Sequence, residues 1–147
     1  ASTDDVAVID ALLDHGAEIE APGSVIGGGT PLADAVAFGQ WRAARRLIER
    51  GAQANLWQAA ALGLMDVVER RLAAAPPPTQ DDVTNALWCA CHGGQLAAAK
   101  RLLACGAERN WLGHGGQTPL DAALGHGAED VVAWLREQGA KTAAQLV

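Results

Sequence analysis

The chain has 147 residues, half of them hydrophobic but with one Phe, no Tyr and one Met, and it carries a net charge of −6. That length fits one domain with a substantial core. The acidic balance argues against a general nucleic-acid binder, and apolar runs no longer than residues 131–135 argue against a membrane span.

In chain order, Val8-Ile9, Leu12-Leu13 and Gly16-Ala17 predict one amphipathic helix closed by a glycine, with no room before it for a partner helix. A long loop follows. Its Gly27-Gly28-Gly29 is not followed by Lys-Ser/Thr and so is no phosphate loop; Thr30 and Pro31 instead start a helix as N-cap and first helical residue. From here a phrase recurs. Aligned glycines stand at 39, 63, 94 and 127, and twelve residues later come Gly51, Ala75, Gly106 and Gly139. Between them lie Val67-Val68 with Leu72, Ala98-Ala99 with Leu102-Leu103, and Val131-Val132 with Leu135, spaced i, i+4, i+5 as on one helix face. Each such helix ends where Gly can adopt the left-handed C-cap conformation. After Pro76-Pro77-Pro78, Thr79 and Asp82 form a capping-box pattern, so the next helix is expected to start early. The clearest start is the last, Thr118-Pro119-Leu120, and residues 141–147 are expected to add a turn that covers the end. Small residues such as Ala59, Ala60, Ala90, Ala122 and Ala123 suit close helix packing.

Thr118-Pro119-Leu120-Asp121, Gly106-Ala107-Glu108-Arg109-Asn110 and Gly51-Ala52-Gln53-Ala54-Asn55 resemble the ankyrin repeat. The resemblance implies an all-α solenoid of stacked helix-turn-helix units: a single ankyrin-repeat domain over 1–147, with about four full repeats and an N-terminal half-repeat. The copies fall at 1–29 (partial), 30–55, 56–80, 81–112 and 113–147. It also implies a module that generally binds proteins and rarely catalyses; with no compact ligand spacing such as HExxH, no metal or cofactor is expected.

The connections depart from the pattern. Twelve residues separate Ala107 from Leu120 and fourteen separate Ala17 from Leu32, enough for projecting fingers, but only three separate Ala52 from Leu56. Two long fingers flanking two missing ones predict a groove open in the middle; the alternative is that tolerant loops were simply shortened. The position after Thr-Pro-Leu, usually His, is Ala33, Trp57, Trp88 and Asp121. Trp57 and Trp88 either form an aromatic platform for a partner or fill volume that missing fingers vacate. Trp41 reads as core, and Trp134 as a cover for the end of the stack.

The resemblance places the pairs before the aligned glycines on the concave face, which brings in Phe38, Leu62, His92 and His126, while the last finger adds Trp111, His114 and Gln117. Three of the four His residues thus map to one face. They read either as polar contacts for a partner or as a small-molecule or enzymatic site with Asp121 orienting an imidazole. In Cys89-Ala90-Cys91-His92 the two thiols point in different directions on a helix, which favours core packing over zinc. The column Arg46, Arg70, Arg101 reads as a solvated outer face balanced by Glu49, Asp66 and Glu69, or as a stripe for an acidic partner. Three Cys, an odd number, with Cys89 and Cys91 too close for an ordinary disulfide, and no visible secretory signal, point to a cytoplasmic protein. The leading expectation is non-catalytic recognition of a protein or peptide. The alternatives are a small-molecule or enzymatic site in the last repeats, and an oligomerising or regulatory domain of a longer protein.

Overall fold

The computed structural model describes residues 6–16 and 30–146, and among these every regular element is helical. The chain divides into two compact units, Ala1–Ala54 and Asn55–Val147.

The first unit holds α1 (Val6–Asp14), α2 (Pro31–Ala37) and α3 (Trp41–Glu49). Thr30 starts α2 as its sequence dictates, its Oγ1 accepting the Ala33 amide at 3.2 Å. α2 packs on α3, and Leu32, Val36, Ala44 and Leu47 are buried. α1 lies beside α3 yet buries none of its residues, leaving Val8 39% and Leu12 56% exposed. Charge links the two helices: Asp10 pairs with Arg46 at 2.8 Å and Arg50 at 3.2 Å, and Arg50 reaches Asp14 at 2.7 Å. The hydrogen bond from Arg46 outweighs burial and, with Arg50, holds the Asp10 carboxyl below its usual range. The long loop expected before Leu32 falls on residues 17–29, outside the described residues.

The second unit holds α4 (Leu56–Leu62), α5 (Met65–Leu72), α6 (Gln80–His92), α7 (Leu96–Ala104), α8 (Pro119–His126) and α9 (Glu129–Glu137), with 3₁₀ turns at His114–Gly116 and Ala144–Leu146. α6 packs between α4 and α8, and α7 packs against both α5 and α9, giving two helix layers. In the first layer Ala59, Ala60, Ala86, Ala90 and Ala123 have no accessible surface, so small side chains set the close spacing. Leu87, Leu102, Leu120 and Leu135 fill the core. Both aligned glycine columns have positive φ, from 68° at Gly39 to 103° at Gly51, a conformation L side chains rarely adopt. Ala75 breaks its column: α5 is already capped at Ala73, and the chain leaves through Pro76, Pro77 and Pro78.

Helix starts follow their caps. At α6, Thr79 Oγ1 accepts the Asp82 amide at 3.1 Å and Asp82 Oδ2 accepts the Thr79 amide at 3.0 Å, the reciprocal box that the sequence predicts. At α4 the same device is built from Asn55 and Gln58, with both bonds at 3.0 Å. Cys89 and Cys91 are both buried, and burial pushes each thiol up to about 12. Their differing directions both lead into packed neighbours, because α6 is flanked by α4, α7 and α8. On the outer layer Arg101 pairs with Glu69 at 2.7 Å.

Candidate binding face

The connection from α7 to α8 forms a finger that α6 holds from below. Its base is fixed where the Glu108 amide donates to Thr84 Oγ1 at 3.1 Å. Its tip is fixed by the Gln117 carbonyl, which accepts from the Gly113 amide at 2.8 Å and from Trp88 Nε1 at 3.0 Å. A buried indole needs a partner for its N–H, and Trp88, 6% exposed, finds it in the finger backbone. Around that ring stand His92, with centroids 5.2 Å apart, and His114, edge-on at 4.8 Å; Trp111 meets His114 edge-on at 6.2 Å. His114 Nε2 lies 3.2 Å from Asn85 Oδ1, an acceptor, so that nitrogen donates. Gly113 is needed for this closeness, since a Cβ there would sit 2.6 Å from Trp111 Cζ3 and 2.9 Å from Trp88 Cδ1. Outward the finger presents Leu112, 54% exposed, with half-buried Trp111 and exposed His114 and Gln117.

Trp57 stands at the same repeat position as Trp88, but among the described residues no finger folds over it. It lines an open cavity of about 580 Å³ with Arg71, Asp82, Asn85 and the three prolines.

Residues 56–145 match the family model for ankyrin repeats in three copies. The chain belongs to the ankyrin-repeat family. No curated protein is significantly similar to it. Ankyrin repeats generally mediate protein–protein interaction. The matched residues run from α4 to the C-terminal turn, and among the described residues no helix is long and apolar enough to cross a membrane.

Within these ankyrin repeats the residues singled out from the sequence separate into groups. His92, Trp111, His114 and Gln117 gather around Trp88. Trp88 itself is not an open platform, because the finger covers it. Leu62 is 2% exposed and offers no contact surface: the end of α6 closes on α4 here, so that a Cβ at Gly93 would overlap the Ala61 carbonyl oxygen. Phe38, in the first unit, is 58% exposed.

His126 reaches back across the repeat boundary, its Nδ1 donating to the His92 carbonyl at 2.9 Å. Its ring lies over Gly94, where a Cβ would come within 2.7 Å of Cδ2. Asp121 does not orient an imidazole in this arrangement. Its Oδ2 accepts the Thr118 amide at 3.0 Å and the Ala143 amide at 2.9 Å, fastening the C-terminal tail to the start of α8. Burial alone would raise the Asp121 pKa, but these two backbone hydrogen bonds hold it below the usual range. The buried Thr118 hydroxyl donates to the Lys141 carbonyl at 2.7 Å, and Asn110 Oδ1 accepts the Lys141 amide at 2.8 Å. Among the described residues no three His, Cys, Asp or Glu side chains converge as a metal set.

Asn85 is the residue that sequence reasoning passed over. It touches both the finger, through His114, and the cavity beside Trp57. Its spacing of three from Trp88 on one helix was the available signal.

Proposed function

We propose that this chain is a non-catalytic recognition module that binds a protein or peptide through the finger face of its last two repeats. The finger at residues 111–117 is the observation that supports this. Leu112 is exposed beside half-buried Trp111 on a backbone that Trp88 secures. A rigid apolar anchor with a polar surround is what an interface hot spot requires, and a fixed finger lowers the ordering cost of binding. His92, His114, Gln117 and His126 supply the polar surround; Phe38, exposed on the first unit, is a separate candidate contact of that unit.

A protein partner also suits the net charge of −6, which disfavours nucleic acid. Three free cysteines favour a reducing, cytoplasmic setting. We read residues 1–147 as one ankyrin domain, with α2 and α3 a divergent copy. Thr30-Pro31-Leu32, Gly39 and Gly51 repeat the spacing of the last copy in support of that reading.

The test is affinity capture with the full chain beside Leu112→Asp and Trp111→Ala. A partner that loses about tenfold or more in affinity, roughly 1.4 kcal/mol, on both substitutions supports the finger face. A partner bound equally by all three proteins removes it.

A further inference from the structure

The finger face makes no use of the cavity beside Trp57. Its volume of about 580 Å³ falls within the roughly 300–1,000 Å³ usual for ligand pockets. One wall is Pro76, Pro77 and Pro78, which carry carbonyls but no N–H, and among the described residues no backbone amide donates to those carbonyls. The floor is apolar, formed by Leu56 and half-buried Trp57. Around it stand one cation, Arg71, one anion, Asp82, and two amides, Asn55 and Asn85.

The side-chain charges cancel, so the lining favours neither a polyanion nor a polycation. Mixed donors and acceptors over an aromatic floor complement a peptide backbone, which offers one N–H and one carbonyl per residue. The proline carbonyls, exposed or half-buried and bonded to no backbone amide among the described residues, can accept from such a backbone. Asn85 makes the cavity contiguous with the finger face, since it lines the first and is bonded to His114 of the second.

We infer that this cavity holds an uncharged, extended stretch of the partner chain, with a bulky apolar side chain seated on Trp57; this rests on the recognition reading above and names the chemistry of the bound segment.

A short random-peptide library displayed on phage and selected on the full chain tests it. The selected peptides are then measured against two cavity variants, Ala74→Trp and Trp57→Leu, and against Leu112→Asp in the finger. Ala74 is an exposed lining residue, so Ala74→Trp fills the space without touching the core; thermal melts confirm that each variant folds. The expected result is enrichment of near-neutral peptides carrying a bulky apolar residue, with binding weakened about tenfold or more by either cavity variant. Enrichment of strongly charged peptides, or binding indifferent to both cavity variants, overturns the inference. If only Leu112→Asp weakens binding, the finger face stands and the cavity falls. If only the cavity variants weaken it, the cavity stands and the finger face falls. If no peptide enriches while free indole perturbs the Trp57 side-chain resonance, the cavity takes small molecules and the inference is overturned.

Discussion

Trp57 and Trp88 hold the same position in consecutive repeats, yet Trp88 is sealed beneath a finger and Trp57 borders open space. The two residues are chemically identical, so the cause lies in the connection that follows each repeat. After α7, residues 105–118 are enough to fold back and give the Gln117 carbonyl to an indole. After α5 only residues 73–79 are available, three of them proline, and α6 opens at once on its own cap at Thr79. Whether a given repeat position becomes core or stays open is therefore set by its neighbour's loop. A short connection leaves an open cavity lined by the aromatic ring.

The largest expected effect sets these two side chains against each other. Trp88→Ala should cost about 3–5 kcal/mol, because it empties a buried site and strands the finger. Trp57→Ala, at a half-exposed position, should cost on the order of 1 kcal/mol. Equal losses in denaturant titrations would break the contrast. Gly113→Ala attacks the seal from the other side. Its new Cβ must push Trp111 or Trp88 aside, for about 1–3 kcal/mol, and acrylamide quenching of tryptophan fluorescence should rise.

The caps at the starts of α6 and α8 offer a smaller contrast. Thr79→Ala should cost about 1 kcal/mol, the usual price of a lost N-cap. Thr118→Ala should cost about 2 kcal/mol, because the Lys141 carbonyl also loses its donor. Hydrogen exchange at the Ala143 amide should speed up in the second variant only.

The smallest effect is a pH dependence. Asp121 has a folded-state pKa depressed below its ordinary 3.8, so its contribution is fully present above that value. It is lost as pH falls through the lower, folded value, because the unfolded chain takes up the proton first. Asp121→Asn should flatten the stability profile in that acid window. Parallel profiles for the two proteins would show that the tail contacts are not held by the carboxylate.

Much of the fold could be read from the sequence because its signals are local. A left-handed C-cap needs Gly, which placed the ends of the helices, and Thr79 with Asp82 announced the early start of α6. The start of α4 was harder, because its cap is Asn55 with Gln58 in place of Thr-Pro; the Asn-x-x-Gln spacing carried the same information. The site was legible only in part, because what decides it is not local. His92, Trp111 and His114 follow from the repeat spacing, but the covering of Trp88 depends on a backbone carbonyl 29 residues away. Asp121 looked like a partner for histidine because His114 and His126 flank it in the sequence, whereas the amide it holds comes from the tail at Ala143. Leu62 looked outward-facing until Gly93 allowed α6 to close on the end of α4.

The contrast between the two tryptophans can be measured without a partner. Indole N–H exchange into D₂O, followed by ¹H–¹⁵N NMR with each signal assigned by single Trp substitution, reports it directly. The Trp88 signal, donated to the Gln117 carbonyl at 3.0 Å, should persist well after the Trp57 signal has vanished. Exchange of the two at the same rate would contradict a sealed position at 88 and an open one at 57.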